Sequence, residues 1–256
     1  EEAVTHIQDG DMISFSGFTP AGSAKAVPMA LAKRATEEHT KGHPFKVRVL
    51  TGASSGYSID EALAKADAIA WRGPYQADGT LRQQINRQEV EYVDMHLSHL
   101  PQAVAEEFLW QIDTAVVEAT EITPDGRVYL TTSIGASPTY LKYAKKVIIE
   151  INRHQSLRLR EMADIVVMPP PPYRYPIHIY DPLTRIGWPY AQVDPEKVIG
   201  IVESDEPDRL GAFNPPDDTS LKIAAHVTRF LLDELRAGRI PPRFLPLQSG
   251  VGNVAN

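Results

Sequence analysis

The 256-residue sequence contains no cysteine. That absence excludes disulfides, thiolate zinc sites and cysteine nucleophiles, and it suits a reducing compartment. Basic charge is also short. The 26 Lys and Arg against 33 Asp and Glu leave a formal net charge of −7, the wrong sign for a nucleic-acid surface. No apolar run approaches the roughly 18 uncharged residues of a membrane span. The opening EEAVTHIQDGDMISFSG lacks the basic-then-apolar order of a secretion signal. What remains is an ordinary globular composition, 43% hydrophobic and 23% charged. Its 21 prolines are many and cluster late.

Periodicity sketches an α/β chain. In DMISFSGF, residues 11–18, Ile13 and Phe15 alternate with Ser14 and Ser16 up to Gly17, as in a strand. A helix is expected from near Ser23, with Pro28 in its first turn and Gly42 at its end. Residues 45–52 read as a second strand, and SIDEALAKADAIAWRG as a second helix from a Ser58 or Asp60 cap. This is the strand, glycine turn, helix rhythm of a parallel sheet. Strands are further expected at 114–120, 127–135, 146–152, 164–168 and 197–204, and helices at 101–108, 137–144 and 218–237. The last helix has an apolar face of Ile223, Val227, Phe230, Leu231 and Leu235. Residues 169–195 hold eight prolines. They read as a surface excursion, with a lid or an oligomer contact as alternatives. The expected fold is an open, mainly parallel sheet with flanking helices, one domain over residues 1–256.

Four stretches could carry chemistry. In SFSGFTPAGSAKAVP, residues 14–28, Gly17 lets a ligand approach the backbone, and amides at Phe18 and Thr19 could hold an oxyanion or a carboxylate. The spacing matches neither the P-loop nor the dinucleotide fingerprint, and an ordinary strand-to-helix turn would look the same. TGASSG, residues 51–56, ends another strand, and two such ends in one sheet are consistent with a single cleft. VDMHLSH offers Asp94, His96 and His99. With no third histidine nearby, a partner contact fits them better than a metal, so no metal is expected. Glu118 and Glu150 lie inside apolar strands, where a carboxylate needs a partner or a function. Either could be a nucleophile or base, or a structural residue paired with Lys145, Lys146 or Arg153.

The chain ends on IPPRFLPLQSGVGNVAN, residues 240–256. With GDMISFSGFTPAGSAKAVPMALA, VRVLTGASSG, VEYVDMHLSH, VVEATEITPDG and KVIIEIN, this stretch resembles the acetyl-CoA hydrolase/transferase family. That family includes succinyl-CoA:acetate and propionyl-CoA:succinate CoA-transferases. The resemblance runs through the chain in order, and Ile240 to Phe244 depart from the pattern only at the entry to the last motif. It implies two related α/β halves of the class I CoA-transferase fold with the site between them, this chain being the N-terminal half. The nucleophilic glutamate is then expected beyond Asn256, in the C-terminal half, so Glu118 and Glu150 are not assigned that role. Gly17, Phe18 and Thr19 become the expected oxyanion and substrate-binding positions, and Gly250, Val251, Gly252, Asn253 and Val254 the CoA-binding ones. Coenzyme A is a substrate and no permanently bound cofactor is expected.

The resemblance further implies acyl-CoA and small carboxylates as partners, the C-terminal half of the same enzyme, and a homo-oligomer. The expected setting is the cytoplasm, or the mitochondrial matrix in a eukaryote, and the chain alone is expected to be inactive. Two other readings stand beside it. One is a non-catalytic CoA- or carboxylate-binding α/β module. The other is a sugar-phosphate isomerase-like enzyme, for which Glu118 with Asp94 is the acid/base pair.

Overall fold

The strands expected from sequence, other than 164–168, assemble with three that were not expected, at 69–73, 91–92 and 191–192, into one mixed, mostly parallel sheet. Its members are β1 (Met12–Phe15), β2 (Val47–Thr51), β3 (Ile69–Gly73), β4 (Glu91–Tyr92), β5 (Thr114–Ile122), β6 (Arg127–Leu130), β7 (Lys146–Asn152), β8 (Ala191–Gln192) and β9 (Val198–Ser204). The helices are α1 (Ala26–Thr40), α2 (Ala62–Lys65), α3 (Gly79–Asn86), α4 (Leu100–Ala105), α5 (Ser137–Tyr143) and α6 (Asp218–Arg236). This computed structural model describes residues 1–53, 56–209, 215–244, 248 and 250. Contacts divide the chain into two units, Glu1–Ile179 with Arg185–Arg209, and Tyr180–Thr184 with Leu210–Asn256.

In the first unit, β4-β3-β2-β1-β5 run parallel, and β7 and β9 extend the parallel order beyond β5. The chain builds outward from β1 to β4 and then returns to the free edge of β1 with β5. That reversal is a topological switch point, where open α/β sheets collect ligands at the carboxyl ends of their strands. The later half of β5 passes β1 and pairs antiparallel with β6, which pairs with β8.

Both faces of the sheet are covered. Ile13, Phe15, Val49, Val116 and Ile148 pack with Val27, Leu31 and Ala35 of α1. Met12, Leu50, Ala115, Val117 and Ile149 pack with Leu100 of α4 and Tyr140 and Leu141 of α5. Alternation along a strand sets which face each residue meets. Glu118 and Glu150 sit opposite each other in the β5–β7 register. They share the parity of Val116 and Ile148, so both belong to the α1 face.

Several expectations are corrected. SIDEALAKADAIAWRG is not one helix. It turns through Tyr57–Glu61 and α2, then gives β3, because Asp67 takes φ +50 and breaks the helix. Residues 131–135 leave the strand after Leu130, and residues 164–168 keep only the bridge Ile165–Trp188. The first helix starts at Ala26 rather than Ser23, and the helix expected at 101–108 ends at Ala105. Helix α3, with Asp78 accepting from Leu81 N–H as its cap, was not expected.

In the second unit α6 is capped by Asp217, whose carboxylate accepts the Ser220 N–H. Among the described residues no helix is long and apolar enough to cross a membrane.

Candidate functional site

Three loops that carry glycine meet at the switch point. The first leaves β1 at Ser16, the second leaves β2 at Thr51, and the third, residues 131–136, leaves β6. A Cβ on Gly17 would lie 2.9 Å from Ser23 Cβ, one on Gly22 2.5 Å from Ser133 Oγ, and one on Gly52 2.8 Å from Ala136 N. A Cβ on Gly135 would come within 3.0 Å of Gly17 O, and one on Gly56 within 3.3 Å of Pro20 Cβ. The glycines are therefore what allows the loops to close on one another. Gly17 at φ +124 and Gly22 at φ +63 also need the freedom of a missing side chain. Thr19 takes φ +56, uncommon for a β-branched residue.

Beneath the first loop lies a cluster of buried charge. Lys25, completely buried, donates to Glu118 Oε2 at 2.6 Å, Asp208 Oδ1 at 2.9 Å and the Ser23 carbonyl at 2.8 Å. Glu118 also accepts from Thr131 Oγ1 at 2.7 Å and Asn152 Nδ2 at 3.0 Å. Asp208 accepts from the Gly22 N–H and from Thr132 Oγ1. Burial alone would lower the Lys25 pKa, but the Glu118 and Asp208 carboxylates outweigh it and raise it, so the ammonium persists at neutral pH. Burial pushes the Glu118 carboxyl up, against Lys25 and its hydroxyl and amide donors.

Glu150 does different work. Its carboxylate accepts the N–H groups of Lys25, Ala26 and Val27 at 2.8, 2.9 and 3.0 Å. It is the cap that the amino end of α1 does not receive from its own N-cap residue, Lys25, and an anion there suits the helix dipole. The structure thus pairs neither Glu118 nor Glu150 with Lys145, Lys146 or Arg153. The first two lie at the opposite end of the strands, and Arg153 pairs with Glu203 at the surface. Asp94 is exposed and is not among the partners of Glu118.

Under the second loop, Arg72 and Asp60 form another fully buried pair, with Arg72 Nε 2.8 Å from Asp60 Oδ1. Arg72 Nη2 donates to Thr51 Oγ1 at 2.7 Å. At the rim, Tyr57 OH donates to Glu206 at 2.7 Å, and the Arg209 guanidinium lies 3.6 Å from the Tyr57 ring centre. Burial and the Glu206 carboxylate push the Tyr57 hydroxyl up to about 12. On the α4–α5 side a cavity of about 360 Å³ runs between Gln102, Tyr143, Pro169 and Arg174, and reaches Gly135.

Of the expected site residues, Gly17, Phe18 and Thr19 stand at the switch point. The Phe18 N–H, however, donates to Ala21 O at 2.9 Å and serves the loop's own turn. Gly250 lies in the second unit, and Val251, Gly252, Asn253 and Val254 lie outside the described residues. The rings of His96 and His99 meet edge to face, 5.5 Å apart. Sequence reasoning missed Lys25, Asp208, Asn152 and the Arg72–Asp60 pair. The available signal was the shared strand parity of Glu118 and Glu150, which points both at the start of the first helix.

Comparison with known proteins identifies the family and the fold. The family model described as the acetyl-CoA hydrolase/transferase N-terminal domain matches residues 1–203. The chain is 49% identical over 255 residues to a propanoyl-CoA:succinate CoA transferase of Escherichia coli, covering 100% of this chain and 52% of that protein. It is 40% identical to a succinyl-CoA:acetate CoA-transferase of Clostridium kluyveri, over 99% of this chain and 47% of that protein. It is also 40% identical to an acetyl-CoA hydrolase of Schizosaccharomyces pombe, over 99% and 49% respectively. The chain thus spans about half the length of the curated relatives it matches. Among solved structures, RipA from Yersinia pestis superposes with a TM-score of 0.59 at 21% identity, over 88% of this chain and 46% of that one. An acyl-CoA transferase of Escherichia coli O157:H7, solved as a thioester complex with CoA, gives 0.50 at 12% identity, over 84% and 48%. At such identities the two structures attest the fold.

Proposed function

This chain belongs to the acetyl-CoA hydrolase/transferase family and carries its N-terminal domain, and from that premise we propose that it forms one wall of a site that moves coenzyme A between carboxylic acids. The observation that carries the reading is a double one. The family match covers the glycine loops at the switch point, while each relative is about twice as long as the matched chain. The second wall, and with it the nucleophilic glutamate, is assigned to the half of the enzyme that follows the N-terminal domain.

In this reading the glutamate carboxylate attacks the acyl-CoA carbonyl. The C–S bond breaks, CoA leaves as thiolate, and an acyl-glutamyl anhydride forms. The thiolate then attacks the glutamyl carbonyl, giving glutamyl-CoA and the free acid. An acceptor carboxylate reverses the sequence, and water in its place makes the enzyme a hydrolase. Each tetrahedral state needs donors aimed at its oxyanion. The loop Gly17–Thr19 is the contribution of this wall, through its close backbone approach and the unusual conformation of Thr19. Phe18 contributes its half-exposed ring at the rim rather than its N–H, which the turn uses. Gly250, Val251, Gly252, Asn253 and Val254 are assigned by the resemblance to backbone contact with CoA. The remaining partners are the acyl-CoA, a small carboxylate such as acetate or succinate, and a further copy of the enzyme, in the cytoplasm or mitochondrial matrix.

The test combines this chain with the C-terminal half of the Escherichia coli relative, fused or in trans, and follows CoA transfer from propanoyl-CoA to succinate. Transfer by the pair and by neither part alone is the expected result. Turnover by this chain alone at an ordinary enzymatic rate, about 1–1000 per second, would place the nucleophile here and sink the two-wall reading. Tight CoA binding by a folded pair that never transfers would leave a binding module instead.

A further inference from the structure

Lys25 is the one fully buried lysine among the described residues, and it stands beside the loop proposed to receive the acyl carbonyl. An ammonium has three hydrogen-bond donors. All three are spent, on Glu118, Asp208 and the Ser23 carbonyl. None is left for a substrate, so Lys25 is neither a base nor a substrate anchor.

What those bonds hold is the returning leg of the loop. Lys25 fixes the Ser23 carbonyl, and Asp208, which it pairs with, accepts the Gly22 N–H. Ser16 Oγ donates to the Gly22 carbonyl at 2.9 Å and accepts the Glu118 N–H at 2.9 Å. The two legs of the loop pack closely. There is no room between them for a Cβ on Gly17, which would meet Ser23 Cβ at 2.9 Å and Ser23 Cα at 3.0 Å, and one on Gly22 would meet Ser133 Oγ at 2.5 Å. The position of Ser23 thus bears on that of Gly17.

We propose that Lys25 is a positioning residue: clamped between Glu118 and Asp208, it sets the backbone of residues 17–23 and so the place where that loop meets the substrate carbonyl. The inference rests on the acyl-transfer reading for its consequence, though the clamp itself is independent of that reading. Two physical points support a positional role over a purely stabilising one. Buried ion clusters give little net stability, and apolar replacements of similar volume often do as well. The three members also come from distant parts of the chain, 93 and 183 residues from Lys25. The cluster thereby ties β5 and the segment leaving β9 to one loop.

The variants are Lys25→Met and the charge-balanced Lys25→Met/Glu118→Gln, studied in the two-half enzyme. Lys25→Met leaves two carboxylates, Glu118 and Asp208, without their cation and lowers the thermal midpoint. The double variant neutralises Glu118, the more buried of the two, while Asp208 keeps its bonds from Gly22 and Thr132; it recovers part of that midpoint and remains readable if the single variant does not fold. A misplacement of about 1 Å costs about 100-fold in rate. The double variant should accordingly lose about 30- to 100-fold in kcat, with KM for the acyl-CoA within about threefold of the parent. Recovery of kcat along with the midpoint would reduce Lys25 to a charge balance and overturn the proposal. Hydrogen exchange on this chain supplies a readout that needs no turnover. Amides of residues 17–23 should exchange about tenfold faster in the double variant while those of β1 hold. Unchanged exchange in the loop would overturn the clamp even where transfer is robust. Faster loop exchange in a protein that never transfers would uphold the clamp and count against the transferase reading.

Discussion

The two ends of the parallel strands treat charge in opposite ways. At the amino ends, ion pairs are exposed. Lys145 meets Asp113 beside the starts of β5 and β7, with side chains 49% and 29% exposed, and Lys46 meets Asp67 beside β2 and β3. At the carboxyl ends, Lys25, Glu118, Glu150, Arg72 and Asp60 are all buried, and the exposed pair of Arg153 with Glu203 stands apart at the ends of β7 and β9. The same apolar strands connect the two edges, so the sheet did not require the burial. Taking ions out of water costs several kcal/mol each and is repaid only by well-placed partners. A protein whose described residues keep such groups at one edge alone, under three interlocking glycine loops, is holding backbone in place there. The amino-end pairs hold little.

The largest effect that would sharpen this contrast is expected from the simplest buried pair. Arg72→Met leaves Asp60 buried without its cation, and unfolding in urea should show a loss of about 3–5 kcal/mol. Pairing it with Asp60→Leu should recover most of the loss, since an apolar pair of similar volume often matches a buried ion pair. A single variant as stable as the parent would show that Asp60 has other means of satisfaction, and the contrast between the edges would fail at its strongest point.

The edges also differ in how far sequence reveals them. β1 was legible from alternation and β2, β5 and β7 from short apolar runs, and glycines marked the strand-to-helix turns, because these signals are local. β3 was not, since IAWRG follows a helical pattern without a glycine or proline to separate them. The partners of Glu118 were the least legible. Lys145 and Lys146, two of the cations weighed for it, lie at the amino end of β7, while its true partner comes from 93 residues away. Only the register of β5 on β7, together with the parity of Glu118 and Glu150, brings both carboxylates to the start of α1. Asp208 had no sequence signal, because its place depends on where the chain leaves β9.

A smaller effect tests whether the second buried carboxylate is a cap rather than a reactive group. Glu150→Gln keeps an acceptor for the α1 amides but removes the anion from the helix amino end. A loss of about 1–2 kcal/mol in chemical unfolding is expected, the range for a cap combined with a favourable charge. Transfer by the two-half enzyme should fall no further than its folded fraction. Abolished turnover in a fully folded protein would return Glu150 to the list of reactive groups and blur the division between capping and chemistry at this edge.

The smallest effect belongs to the amino edge and concerns pH. Burial would raise the Asp113 carboxyl, but Lys145 and the Met12 N–H outweigh it and hold it below its usual value. A carboxyl whose pKa is depressed on folding adds stability above its unfolded value, and that contribution is lost as pH falls through the folded value. Lys145→Met removes one of the two donors. The Asp113 resonance should then titrate at higher pH by NMR, and acid unfolding should begin at slightly higher pH. The thermal midpoint at neutral pH should hardly move, because exposed pairs are screened and cost side-chain entropy to form. Should Lys145→Met instead destabilise the protein as much as Arg72→Met, charge would matter equally at both edges, and burial at the carboxyl ends would no longer single out the site.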